Sequence, residues 1–139
     1  MTSSIPQRIA LAILLAGSVG LANAEDVKVA LSGDQEVPPV TTDAKGTGKI
    51  SIAKDMTVTG KVTATGIDGT MAHIHMGSAP GKNGPPIITL EKGADGSWTV
   101  PAGSKLTDDQ YAAFKAGSLY VNIHSADHKG GEIRAAMKP

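Results

Sequence analysis

From residue 27 onward apolar residues recur at every second position in short runs, and each run ends in Gly, Pro, Asp or Asn. A period of two is the repeat of a strand with one face buried, and breakers at this spacing leave no room for long helices. Val27, Val29 and Leu31 alternate with Lys28 and Ala30, and Ile50 and Ile52 alternate with Lys49 and Ser51. Val58 and Val62 share a parity, and strand segments follow at 72–76, 87–90, 97–100, 119–124 and 132–137. Ser32-Gly33-Asp34, Pro38-Pro39, Asp68-Gly69, Asn83-Gly84-Pro85-Pro86 and Lys129-Gly130-Gly131 separate them. Eight short strands favour an all-β chain, an antiparallel sandwich or barrel with Greek-key links, taken here as a Greek-key β-sandwich with one short helix. The helix begins at Thr107, with Gln110 three residues on as its capping-box partner and Leu106 and Tyr111 as a hydrophobic staple. Gly117 ends it in the left-handed conformation.

A chain without cysteine has no disulfide, thiolate nucleophile or Cys-ligated cluster. Thirteen bases balance thirteen acids, which leaves no basic field for a phosphate backbone, and aromatics at 3% give no stacking platform for bases. Residues 1–24 read as a signal peptide: Arg8 is the positive start, 9–15 the apolar stretch, and Ala22-Asn23-Ala24 the cleavage site. The apolar stretch is too short to span a bilayer. The expectation is therefore a periplasmic or secreted protein with no membrane span after cleavage. Residues 25–139 would form a single domain, stabilised by packing or by a bound metal.

The four histidines fall in two short segments. His73-Ile74-His75 lies in a strand-like run, so both rings project from one face, about 6–7 Å apart at their α-carbons. Ile74 faces the opposite side. In the second segment Val121 and Ile123 share one face, and Tyr120, Asn122 and His124 share the other. A hairpin closing about 126–130 would set Asn122 opposite Arg134 and His124 opposite Glu132. Such a surface can also be merely a wet face; the pairing of both clusters with strand ends beside Gly-rich loops favours a metal site. His73, His75, His124 and then His128 are the expected ligands. Glu132, Asp127, Met76, Glu36 and Arg134 are outer or supporting candidates. Imidazoles without thiolate suit copper or zinc, and the neighbouring Met71 and Met76 thioethers favour copper(I). Met76 has the wrong parity to join the imidazoles from a regular strand. The Glu36-Val37-Pro38-Pro39 segment reads foremost as a strand terminator.

These segments together resemble the CHRD domain, found in chordin and in exported bacterial proteins. The matching words are Leu31-Ser32-Gly33-Asp34-Gln35-Glu36-Val37-Pro38-Pro39-Val40, Ala72-His73-Ile74-His75, Asn83-Gly84-Pro85, the Leu106-Thr107 helix start, Tyr120-Val121-Asn122-Ile123-His124 and Gly130-Gly131-Glu132-Ile133-Arg134. They run in family order across nearly all of residues 27–137. The resemblance implies an immunoglobulin-like or superoxide-dismutase-like sandwich, with recurring histidines at His73, His75 and His124. It departs at His128, where the family has Asn-Pro before the Gly-Gly pair, and at Met76, where it has Gly.

The leading functional expectation is a periplasmic protein that stores, buffers or delivers copper, with zinc as the alternative ion. A superoxide dismutase-like copper enzyme, with Arg134 guiding an anion, and an extracellular adhesion module are the rivals. Expected partners are the metal ion, a second copy in a homodimer and a periplasmic metal-delivery protein, with no nucleic acid.

Overall fold

The structure, a computed structural model, describes residues 23–139. The signal-peptide segment lies outside the described residues except for its last two. Among the described residues nine strands form one continuous antiparallel sheet: β1 Ala24–Ser32, β2 Lys45–Ala53, β3 Val58–Thr65, β4 Gly69–Met76, β5 Pro86–Thr89, β6 Glu91–Lys92, β7 Ser97–Thr99, β8 Leu119–Ser125 and β9 Ile133–Ala136. Their order across the sheet is β5-β4-β8-β9-β1-β2-β3-β7-β6. The first three strands form a meander, in register from Ala24↔Ala53 to Ser32↔Lys45 and from Lys45↔Thr65 to Ile52↔Val58. The links from β3 to β4 and from β7 to β8 cross over instead of joining neighbours.

Strands β5 and β6 are consecutive in sequence yet stand at opposite ends of the sheet. Leu90 joins them, and its amide donates to the Ala72 carbonyl at 2.9 Å. The sheet is therefore bent nearly into a barrel, consistent with the expected sandwich-or-barrel class. Its inner face carries the expected alternation: Val27, Val29 and Leu31 from β1, Ile50 and Ile52 from β2, Val58 and Val62 from β3, and Val121 and Ile123 from β8 are all buried.

Helix α1, Asp108–Lys115, has the predicted capping box. The Gln110 amide donates to Thr107 Oγ1 at 3.2 Å, and the Thr107 amide donates to Gln110 Oε1 at 2.9 Å. Gly117 follows at φ +79°. Phe114 is fully buried in the core, and Tyr111 packs partly against it. No helix among the described residues is long and apolar enough to cross a membrane.

Candidate metal centre

The outer face of β4, β8 and β9 is not a wet surface. Every residue of β8 is buried, on both faces of the strand. Val121 and Ile123 face the core, while Tyr120, Asn122 and His124 lie under loops. Three pieces of irregular chain roof them: the turn around Gly84, the Glu36–Val37 crossing and the Lys129–Gly131 loop, each tied down by hydrogen bonds to these side chains. Alternation in β4 puts His73 and His75 on this same outer face. The ladder sets Met71 opposite His124, His73 opposite Asn122 and His75 opposite Tyr120.

His73, His75 and His124 come together as a buried cluster, each 8% exposed or less. Their ring centroids are 5.3, 4.9 and 5.8 Å apart, and each ring offers a nitrogen within 4.8 Å of the others. A bound ion with metal–nitrogen distances of about 2.0–2.1 Å would draw the three rings slightly inward.

Backbone carbonyls set two of the tautomers. The contacts from His75 Nδ1 to the Gly84 oxygen at 2.9 Å and from His124 Nδ1 to the Lys129 oxygen at 2.8 Å require a proton on each Nδ1, since a carbonyl only accepts. In the neutral tautomer that this leaves, each Nε2 presents a lone pair. That of His124 meets His73 Nδ1 at 3.0 Å. That of His75 is buried with no partner. The Asn122 Oδ1, on the position opposite His73, is a second buried acceptor without a donor. Burial and then the neighbouring His124 hold His73 below the ordinary imidazole range. Burial does the same to His75, against the opposing pull of its Gly84 hydrogen bond. Both shifts favour neutral rings with lone pairs free to bind.

Asn122 Oδ1 apart, Tyr120, Arg134 and Glu36 around this cluster are partnered. Tyr120 stacks on His75 with centroids 4.8 Å apart and planes 5° from parallel. The Arg134 guanidinium lies 3.9 Å from the Tyr120 ring centre. Because β8 runs between β4 and β9, Tyr120 stands between the imidazole and the guanidinium. Arg134 Nε donates to Glu36 Oε2 at 3.0 Å, Nη2 lies 2.9 Å from the same oxygen as an ion pair, and Nη2 donates to Asn83 Oδ1 at 2.7 Å. Burial pushes the Glu36 carboxyl above the usual carboxylate range, outweighing the Arg134 charge.

The structure thus brings three of the expected ligands together and places the supporting candidates elsewhere. Asn122 does pair with Arg134 across the hairpin. Glu36 reaches Arg134 and Asn122, not the imidazoles. Glu132 follows Gly131, whose φ of +120° redirects the chain, and accepts from Thr42 Oγ1 and Ser125 Oγ at 2.7 Å each. Met76 packs against the core, as its parity requires. His128 and Asp127 line a groove with the Glu36–Thr41 crossing, apart from the three histidines. Arg134 is held by Glu36 and Asn83, which takes it away from guiding an anion. The sequence reasoning missed Gly84 as a positioning element: a Cβ there would collide with the Met76 carbonyl, and its own carbonyl orients His75. The Asn-Gly-Pro breaker at 83–85 signalled a turn, but not which side chain it would hold.

No curated protein and no solved structure matches the chain. The pattern of one family does, the CHRD domain, over residues 27–137. That span takes in all three clustered histidines, the carbonyls that orient two of them and the Arg134–Tyr120 stack, so the chain belongs to the CHRD domain family.

Proposed function

We propose that this is an exported copper-binding protein, holding the ion on His73, His75 and His124 to store, buffer or deliver it. One observation carries the reading: a buried His75 Nε2 with a free lone pair, beside two further imidazoles with nitrogens within 4.8 Å. Orphaned buried acceptors are costly, and a cation at this point would relieve them. The chemistry of the donors supports the fit. Histidine ligands characteristically give their second ring N–H to a carbonyl or carboxylate, and His75 and His124 do so to Gly84 and Lys129. All-nitrogen sites suit copper and zinc, and an export signal in a cysteine-free chain suits an ion handled outside the cytoplasm.

Membership of a family of extracellular-type modules agrees with export. So does the position of the expected cleavage site: removal of residues 1–24 would take a single paired residue, Ala24, from β1. Titration of the metal-free protein with Cu(I), Cu(II) and Zn(II) tests the proposal. Copper should bind tightly, with nitrogen hyperfine structure from three imidazoles in the Cu(II) form. The combined His73→Ala, His75→Ala, His124→Ala variant should lose it. Undiminished copper binding by that variant would remove the proposal.

A further inference from the structure

The three imidazoles are buried, so an ion has to reach them past an opening. A cavity of about 380 Å³ borders the cluster at His124 and is lined also by Thr70, Met71, Ser125, Ala126 and Lys129. The groove beside His128 and the cleft beside Arg134 touch none of the three histidines. Met71 shares the parity of His73 and His75, so it projects from the same face of β4, directly across the ladder from His124. It is also 51% exposed, a large apolar side chain that packing leaves unused.

We infer that Met71 is the receiving donor for a soft monovalent ion, Cu(I): its thioether takes the ion at the cavity mouth and passes it to the His124 imidazole. The inference rests on the histidine cluster being a metal site, and it adds a route and a preference for oxidation state. Thioethers bind Cu(I) and contribute little to Zn(II), which is satisfied by imidazole. Transfer is a ligand exchange in which sulfur is displaced by nitrogen, and the ion keeps its oxidation state throughout.

Rapid-mixing kinetics test this, with Ag(I) as a redox-inert probe of the same softness, Cu(I) under a reductant, and Zn(II) as the control. Met71→Leu keeps the bulk of the side chain and removes the sulfur. It should slow Ag(I) and Cu(I) loading by roughly tenfold or more, the lower end of what loss of a supporting group costs at a metal site, and leave Zn(II) loading unchanged. Equal Ag(I) rates in the wild type and Met71→Leu would overturn the role of Met71 and leave the histidine site standing. Equal slowing of all three ions would also overturn it, because Met71 would then act through shape and not through sulfur. A wild-type protein that binds none of the ions would overturn both this inference and the proposed function.

Discussion

Glu36 and Arg134 form a buried pair whose partners come from opposite ends of the chain. Taking away one charge would leave the other desolvated and alone, so Arg134→Ala should cost about 3–5 kcal/mol in denaturant unfolding. The pair also sets a pH dependence. Glu36 holds its proton more tightly in the folded state than in the unfolded chain, whose ordinary value is 4.5. Its contribution is therefore present below that value and is lost as pH rises through the raised one. His73 and His75, held below 6.5, act in the other direction, and their contribution is lost as pH falls. Comparison with Glu36→Gln isolates the carboxyl. From about pH 4 to 7 the stability of the wild type should fall relative to that variant, and a relative rise would mean that the Arg134 charge dominates. At this scale parity alone gathers His73, His75 and His124, because alternation is built into the extended backbone. The destinations of Glu36 and Glu132 were not legible: they depend on a non-strand crossing and on the turn at Gly131, which tertiary contacts decide.

Strand β8 shows what periodicity conveys about an element and what it hides. The alternation of Val121 and Ile123 with Tyr120, Asn122 and His124 correctly separates two faces. It does not reveal that loops cover the polar one, since the cover comes from chain far away in sequence. The roof is testable at Gly84. Gly84→Ala would push the added methyl into the Met76 carbonyl, displace the turn and withdraw the carbonyl from His75 Nδ1. Copper affinity should fall roughly 10–100-fold with all three histidines intact, as read by competition with a chelator. Helix α1 was the most legible element, since a capping box is a local sequence property. Thr107→Ala should cost about 1 kcal/mol of stability by thermal or denaturant unfolding, with no effect on metal binding. Strand β6 escaped notice because Glu91 and Lys92 carry no apolar alternation; they pair with β7 through Thr99 and Trp98.

For the molecule as a whole, an ion that binds only the folded chain stabilises it by mass action. At a free concentration one hundred times Kd the gain is about 2.7 kcal/mol, so copper should raise Tm by several degrees and a chelator should reverse the rise. The triple histidine variant should show no such shift. The all-β sandwich-or-barrel class followed from turn spacing, but the order of the strands did not. Curvature depends on which distant strands meet, β9 beside β1 and β4 beside β8, and no local pattern encodes those partners. The seam at Leu90 carries one more implication, for behaviour at high concentration. An open sheet ends in ribbons whose unpaired amides and carbonyls can recruit a neighbouring copy, and long, flat margins are the ones that grow into fibrils. Among the described residues the margins are strands of four and two residues that lie end to end along the chain. A second copy would find almost no template to extend, so crowding should yield discrete particles in preference to filaments.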